Sequence, residues 1–483
     1  MAQIDEKQIE EIVSQVLRTL QQDGTVTSQP ATSTRQPATS VGVSSSSRAG
    51  VFGTAAEAIA AAQTAQKALV KLGFAKRREI IEAIKEVSLA NAKRLADLAV
   101  QDTNMGNAAH KVMKNEGAVT LSPGVEDLLS EAVSGDAGTL LIEYVPFGVI
   151  NSITPTTNPT STVINHAIIM LSAGNAVVFS PHPNARDCTE ETMHVINEAI
   201  VKAGGPANLL TSVENASLRT AKEIMEHPDI AMLVATGGAS VVRTALSSGK
   251  KTVAAGPGNP PAIVDETADV QEAAKHVIAG TSFDNNLLCI GEKALFVIDS
   301  VANETVRELT RNGGHLLGAN QLQALEEVVT EKEESNKEYI GKDALTILNA
   351  AGITAPAETV AIVVEVPADH GFVINEYLMP ILPVIRCRDF DEALAGAIRA
   401  EGGRGHTAVL HTNNTKRITQ FAKAMDCSVT VINAPSYSSC GLEGEGYLAM
   451  TIAGPTGEGF TRPRTFTRQR RLTIASDLSA HTQ

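Results

Sequence analysis

Apolar residues along this chain change their spacing twice. Between residues 4 and 20 they fall at Ile4, Ile9, Ile12, Val13, Val16, Leu17 and Leu20, and from Ile9 onward the steps are 3, 1, 3, 1 and 3. That rhythm places one stripe along a helix with charges opposite, so residues 1–20 are predicted to be amphipathic and helical. Residues 21–50 are mostly Gln, Thr, Ser, Pro and Ala with almost nothing to bury, which predicts a disordered linker. From Val51 the pattern changes again. Helical spacing over 54–70 and 75–100 gives way to short β-rich runs: VPFGVINSI (145–153), NAVVFS (175–180), IAMLVAT (230–236), PAIVD (261–265), ALFVI (294–298), AVLHT (408–412) and VTVIN (429–433). Several are apolar almost without alternation, as in parallel strands covered on both faces. The body is predicted to be α/β, with at least two doubly wound domains.

Composition agrees. Tryptophan is absent and aromatics are only 3%, so the cores must rest on Ala, Val, Ile and Leu. A net charge of -14 argues against a nucleic-acid partner, which needs a positive footprint. The five cysteines are scattered and form no CxxC pair, which predicts a reducing compartment and no zinc site. No apolar run approaches the roughly 18 residues of a membrane span. Asp5, Glu6, Glu10 and Glu11 occupy the place of a signal peptide's apolar core, so an intracellular protein is expected. An amphipathic helix on a long linker has two readings. It folds back or joins subunits, or it docks into a groove on another protein.

Four segments carry candidate chemistry. Cys289 follows the polar Asp284, Asn285 and Asn286 and precedes ALFVI, a loop position suited to a nucleophile, although a lone cysteine is usually core. Asn158 lies between Pro155 and Pro159 after GVINSI, where a rigid amide could face an oxyanion or simply close an Asx turn. Gly237 and Gly238 join a strand to a helix, where a backbone can approach phosphate or merely turn tightly. AAGPGNPPAIVDETAD (254–269) is a second Gly/Pro loop entering a strand.

In this order and spacing, the motifs resemble the aldehyde dehydrogenase superfamily over roughly residues 51–475. DNNLLCIGEK, PTTNPTSTVIN, AAGPGNPPAIVDETADV and GPTGEGFTRPRTFTRQRR are similar to its CoA-acylating branch, the propionaldehyde and acetaldehyde dehydrogenases of bacterial microcompartments. The resemblance implies a Rossmann-type cofactor-binding domain over 51–255 and an α/β catalytic domain over 256–435. Residues 436–483 would return to the cofactor domain and form a small β oligomerisation arm with a strand near 138–145. It implies Cys289 as nucleophile and Asn158 as oxyanion donor. Thr154, Pro155, Ser180, His182, Gly237, Gly238 and Glu376 would line the NAD site, with coenzyme A as cosubstrate. Residues 1–20 look like the peptides that direct enzymes to microcompartment shell proteins, which would place the protein in the lumen. A homodimer or tetramer and a small aldehyde, propionaldehyde or acetaldehyde, complete the expectation.

Two departures refine it. Hydrolytic members of the superfamily carry a glutamate in the loop before the nucleophile; here Ala254 and Ala255 stand there with no carboxylate. Without a base, water is a poor nucleophile toward a thioester, whereas a CoA thiol of pKa about 8.5 ionises readily. Acyl transfer is therefore expected over hydrolysis, with a hydrolytic enzyme and a noncatalytic scaffold as the alternatives. The Ser180–Pro183 stretch SPHP lacks the lysine and glutamate that commonly handle the adenosine ribose, so residues alone do not separate NAD from NADP. His406 matches a histidine near the site, in a structural or a catalytic role.

Overall fold

The computed structural model describes residues 48–332 and 334–475. The readings of residues 1–20 as a helix and of 21–47 as linker lie outside the described residues, as does the tail beyond 475. No helix among the described residues is long and apolar enough to cross a membrane.

Two parallel sheets form the framework. The first runs in the spatial order Val51–Phe52, Leu210–Val213, Ala176–Pro181, Val149–Thr154, Met232–Thr236 and Lys251–Ala255. All of its pairings are parallel. Val149–Thr154 and Ala176–Pro181 are buried at every position, which explains why their sequences do not alternate. The second sheet is also parallel, in the order Gly314–Leu316, Ala361–Glu365, Ile381–Cys387, Ala294–Ile298, Pro261–Val264, Thr407–His411 and Val429–Ile432. A third, antiparallel sheet pairs Gly138–Pro146 with Glu131–Gly135 on one side and Thr467–Ile474 on the other. The expected pairing of the arginine-rich tail with residues 138–145 is thus present, in the register Thr467↔Pro146 to Ile474↔Thr139.

Two predicted elements are divided in the structure. The run 145–153 is split between sheets, because Gly138–Pro146 ends and Val149–Thr154 begins across Gly148 at φ +132. Only glycine adopts that backbone readily, so the chain leaves one sheet and enters another there. The run 75–100 breaks at Asn91 into Gly73–Ala90 and Ala92–Thr103. Asn91 leaves helical geometry at φ -106, ψ 3, and its side chain donates to the Val87 carbonyl at 2.8 Å, occupying a helix-terminal acceptor.

The helix Pro159–Ser172 is buried along its whole length. Its polar residues must therefore find partners inside the protein. Asn165 bonds Ser122, the Leu448 carbonyl and the Met450 amide. His166 bridges the Ser152 and Thr451 hydroxyls at 2.8 Å each.

Candidate active site

In the first sheet the chain steps outward from Val149–Thr154 through Ala176–Pro181 to Leu210–Val213, then returns to Met232–Thr236 on the other side. Open parallel sheets bind ligands beyond the carboxyl ends of strands where the order reverses in this way. Thr154 and Pro155 leave one of those two strands, and Gly237 and Gly238 leave the other. Ser180 and His182 end the neighbouring strand, so these six residues share one edge of the sheet. Thr154 is buried with its hydroxyl unpartnered, and Ser180 accepts from Asn151 at 2.9 Å. His182 is exposed and caps the turn after it through Nδ1.

Asn158 is the cap residue of the helix Pro159–Ser172, with proline at the first helical position. Its Oδ1 accepts from Lys114 Nζ at 2.5 Å, and its Nδ2 donates to Thr157 Oγ1 at 3.0 Å. Lys114 and Lys111 project from the helix Ala108–Thr120, three residues apart and therefore on one face. Both ammonium groups bond Asp284 Oδ2, Lys111 at 3.0 Å, and all three residues are buried.

Asp284, Asn285 and Asn286 adopt φ of +48, +56 and +63 in succession. Three left-handed non-glycine residues persist only when their surroundings hold them. Asp284 accepts from the Asn107 amide at 2.7 Å and donates its own amide to His110 Nδ1 at 2.9 Å. Asn286 donates to the Thr281 and Glu292 carbonyls, and Lys293 Nζ closes back onto its side chain and carbonyl. Glu292 in turn accepts from the Ser436 amide and hydroxyl, beside a Gly280 that leaves room for its carboxylate. The chain then presents Cys289 between two tethered flanks.

Burial pushes the Cys289 thiol up to about 12; the Glu376 carboxylate pushes the same way, while the charges of Lys293 and Lys114 pull it down. Cys289, Asn158 (through Lys114) and Glu376 are thereby gathered into one electrostatic cluster. Glu376 is itself raised by burial and eased by Lys293, whose ammonium lies 3.9 Å away. Gly258 runs against the loop of Cys289: a Cβ there would stand 2.3 Å from the Cys289 carbonyl oxygen and 3.2 Å from the His406 ring. His406 is buried, bonds Thr407 through Nδ1, and leaves Nε2 unpartnered; burial holds it neutral, down to about 4. Ala254 and Ala255 are buried at the end of the strand Lys251–Ala255, and the Ala255 carbonyl accepts from the Gly237 amide at 3.2 Å.

The sequence reading passed over Lys111, Lys114, Glu292 and Lys293 as site residues. Their signal was weak, because lysines three apart on a helix normally mark a solvated face. Tertiary contact with Asp284 reveals Lys111 and Lys114 as buried, and Glu292 and Lys293 are buried against Ser436 and Asn286.

The turn after Met232–Thr236 leaves open space at this edge. Neither Gly237 nor Gly238 has positive φ, and a Cβ on Gly238 would meet nothing within 4 Å. The chain's own packing does not require glycine there, so the bare backbone leaves room for something outside the chain. With the unpartnered Thr154 hydroxyl beside it, the edge fits a dinucleotide.

The sequence matches the profile described as "Aldehyde dehydrogenase family" over residues 25–446. It is 43% identical over 432 residues to the acetaldehyde dehydrogenase (acetylating) of Salmonella typhimurium, covering 88% of this chain and 92% of that one. The structure resembles a propionaldehyde dehydrogenase from the Clostridium phytofermentans fucose utilisation bacterial microcompartment, with a TM-score of 0.87 and 43% identity. That likeness covers 88% of this chain and 98% of the other. It equally resembles the Rhodopseudomonas palustris propionaldehyde dehydrogenase with bound CoA and an acylated cysteine, at TM-score 0.87 and 41% identity, covering 88% and 98%. Fold, profile and relatives agree, and the chain belongs to the aldehyde dehydrogenase family.

Proposed function

We propose that this enzyme is a CoA-acylating aldehyde dehydrogenase that converts propionaldehyde or acetaldehyde to the acyl-CoA, with Cys289 as nucleophile. One observation carries the choice of acyl transfer over hydrolysis. The loop that runs against Cys289 is entered by Ala254 and Ala255 and continues through Gly256, Pro257 and Gly258, without a carboxylate to activate water.

The Cys289 thiolate adds to the aldehyde carbon, and the carbonyl oxygen becomes an alkoxide facing the Asn158 amide. When bound, a nicotinamide dinucleotide supplies the acceptor for the hydride leaving that carbon. The Gly237–Gly238 turn and Thr154, Pro155, Ser180 and His182 would hold it, with Glu376 near its nicotinamide ribose. Cys289 is left as a thioester. A CoA thiolate adds to the thioester carbonyl, the bond from carbon to Cys289 sulfur breaks, and the enzyme thiolate returns. Lys293 and Lys114 favour that thiolate electrostatically, against burial and Glu376. NAD is assigned as the dinucleotide on the habit of the CoA-acylating branch.

On this reading residues 51–255 form the cofactor-binding domain and 256–435 the catalytic domain, a division supported by the two sheets. The antiparallel sheet is assigned to a homodimer or tetramer contact, because Val133 and Leu472 are 62% and 54% exposed on it. Residues 1–20 are assigned to a microcompartment shell protein and the enzyme to the lumen. The microcompartment origin of the Clostridium relative supports both.

The test is NADH formation from propionaldehyde, followed at 340 nm with and without CoA, in wild type and Cys289→Ala. The expected result is turnover that needs CoA and vanishes in the variant. Equal turnover without CoA would mean that water resolves the thioester, and acyl transfer would be the wrong reading.

A further inference from the structure

We propose that Lys114 is a positioning residue that sets which end of the Asn158 amide faces the reacting carbonyl. The inference rests on the reading of Asn158 as the oxyanion donor. An asparagine amide has two ends of nearly equal shape and opposite chemistry: Nδ2 donates to an alkoxide, whereas Oδ1 repels it. Something must therefore choose between two orientations half a turn apart. Thr157 does not choose, because the hydroxyl that accepts from Nδ2 at 3.0 Å could equally donate to an oxygen. Lys114 does choose. An ammonium only donates, and its Nζ lies 2.5 Å from Oδ1, so a turned amide would set N–H groups against a cation. The second Nδ2 hydrogen has no partner among the described residues and is left for the substrate.

The charges around Lys114 point the same way. Lys111 and Lys114 share the single carboxylate of Asp284, so with both protonated the buried cluster holds two cations for one anion. Burial pushes Lys114 down to about 7 against the pull of Asp284, and Lys111 adds to the fall, so Lys114 chooses in the protonated form that it holds below about pH 7. The alkoxide formed on substrate supplies the missing negative charge at the far end of the Asn158 amide. A preorganised positive site of this kind stabilises charge that appears only during reaction. Because Lys111 keeps Asp284 paired, removing Lys114 does not strand a buried carboxylate.

A double-mutant cycle tests this, with Lys114→Met and Lys114→Gln made alone and in Asn158→Ala. The readouts are the pre-steady-state NADH burst with propionaldehyde, KM for NAD and melting temperature. Asn158→Ala alone should slow the burst about 10²–10³-fold, as for loss of one oxyanion donor. Lys114→Met should slow it about 10–100-fold in the wild-type background, by loss of a charge-assisted hydrogen bond, and less than about threefold in Asn158→Ala. Lys114→Gln should fall between wild type and Met, since its amide can donate to Oδ1 but can also turn to accept from Nδ2, and KM for NAD should hold in both. Equal losses in the two backgrounds, or no loss from Lys114→Met, would overturn the proposal. A harmless Asn158→Ala would instead overturn the oxyanion assignment beneath it. Should Lys114→Met not fold, the Gln cycle decides on the same criterion. Should neither fold, Lys114 is a structural residue and the proposal fails.

Discussion

At the scale of single residues, the site is a contest over one sulfur. Burial and Glu376 hold the Cys289 proton on, while Lys293 and Lys114 draw it off. Opposite substitutions should therefore give opposite results. Glu376→Gln is expected to speed iodoacetamide alkylation of Cys289 at pH 8 about threefold or more, since each pKa unit is worth about tenfold in thiolate. Lys293→Met is expected to slow it by a similar factor. A mass-spectrometric time course at the Cys289 peptide reads both, and a shift of the same sign in the two variants would contradict this electrostatic account. His166 makes a second residue-scale case. Burial keeps its imidazole neutral, down to about 3, while an unfolded histidine takes up a proton near 6.5. The folded value lies below the unfolded one, so this contribution is whole above about pH 6.5 and shrinks as the pH falls toward 3. Urea unfolding at pH 7 and pH 5 should show about 2 kcal/mol less stability at the lower pH from this residue alone. In His166→Gln that share of the pH dependence should vanish.

At the scale of elements, the turn after Met232–Thr236 gives a separable prediction. Gly238→Ala adds a methyl group that meets nothing in the chain, at a backbone conformation open to any residue. Melting temperature should stay within about 1 °C, while KM for NAD rises severalfold; a drop in stability without a change in KM would mean the glycine serves the fold. Strands were the most legible elements in the sequence, because those covered on both faces are apolar without interruption, as in Ala176–Pro181 and Ala294–Ile298. Breaks were harder. Gly148 stands inside an apolar run and Asn91 inside a helical one, and each acts through a backbone angle that periodicity does not record. Cys289, Asn158 and the Gly237–Gly238 turn could be picked out locally, since proline, glycine and amide clusters mark them. Lys111, Lys114 and Lys293 could not, because a buried lysine looks like a surface one until its partner arrives from elsewhere in the chain.

At the scale of the whole molecule, the antiparallel sheet carries the assembly prediction. Leu472→Asp with Val133→Asp should reduce the sedimenting species to a smaller oligomer, because both side chains are exposed and apolar on that sheet. An unchanged sedimentation profile would remove this sheet from the subunit contact. The wrapping of late chain around early chain has a further result. The helix Pro159–Ser172 and the turn after it draw partners from Leu448, Met450, Thr451 and Phe466, up to 291 residues further on. On a ribosome adding about 5–20 residues per second, some 15–60 s would pass between emergence of such partners. Throughout that interval the first sheet stands with its central helix incompletely matched. The loop that carries Cys289 waits on later chain as well, since Glu292 takes its partner from Ser436, 144 residues further on. Translation order thus acts as a timer: the strands of the first sheet are all present long before the residues that satisfy its central helix exist.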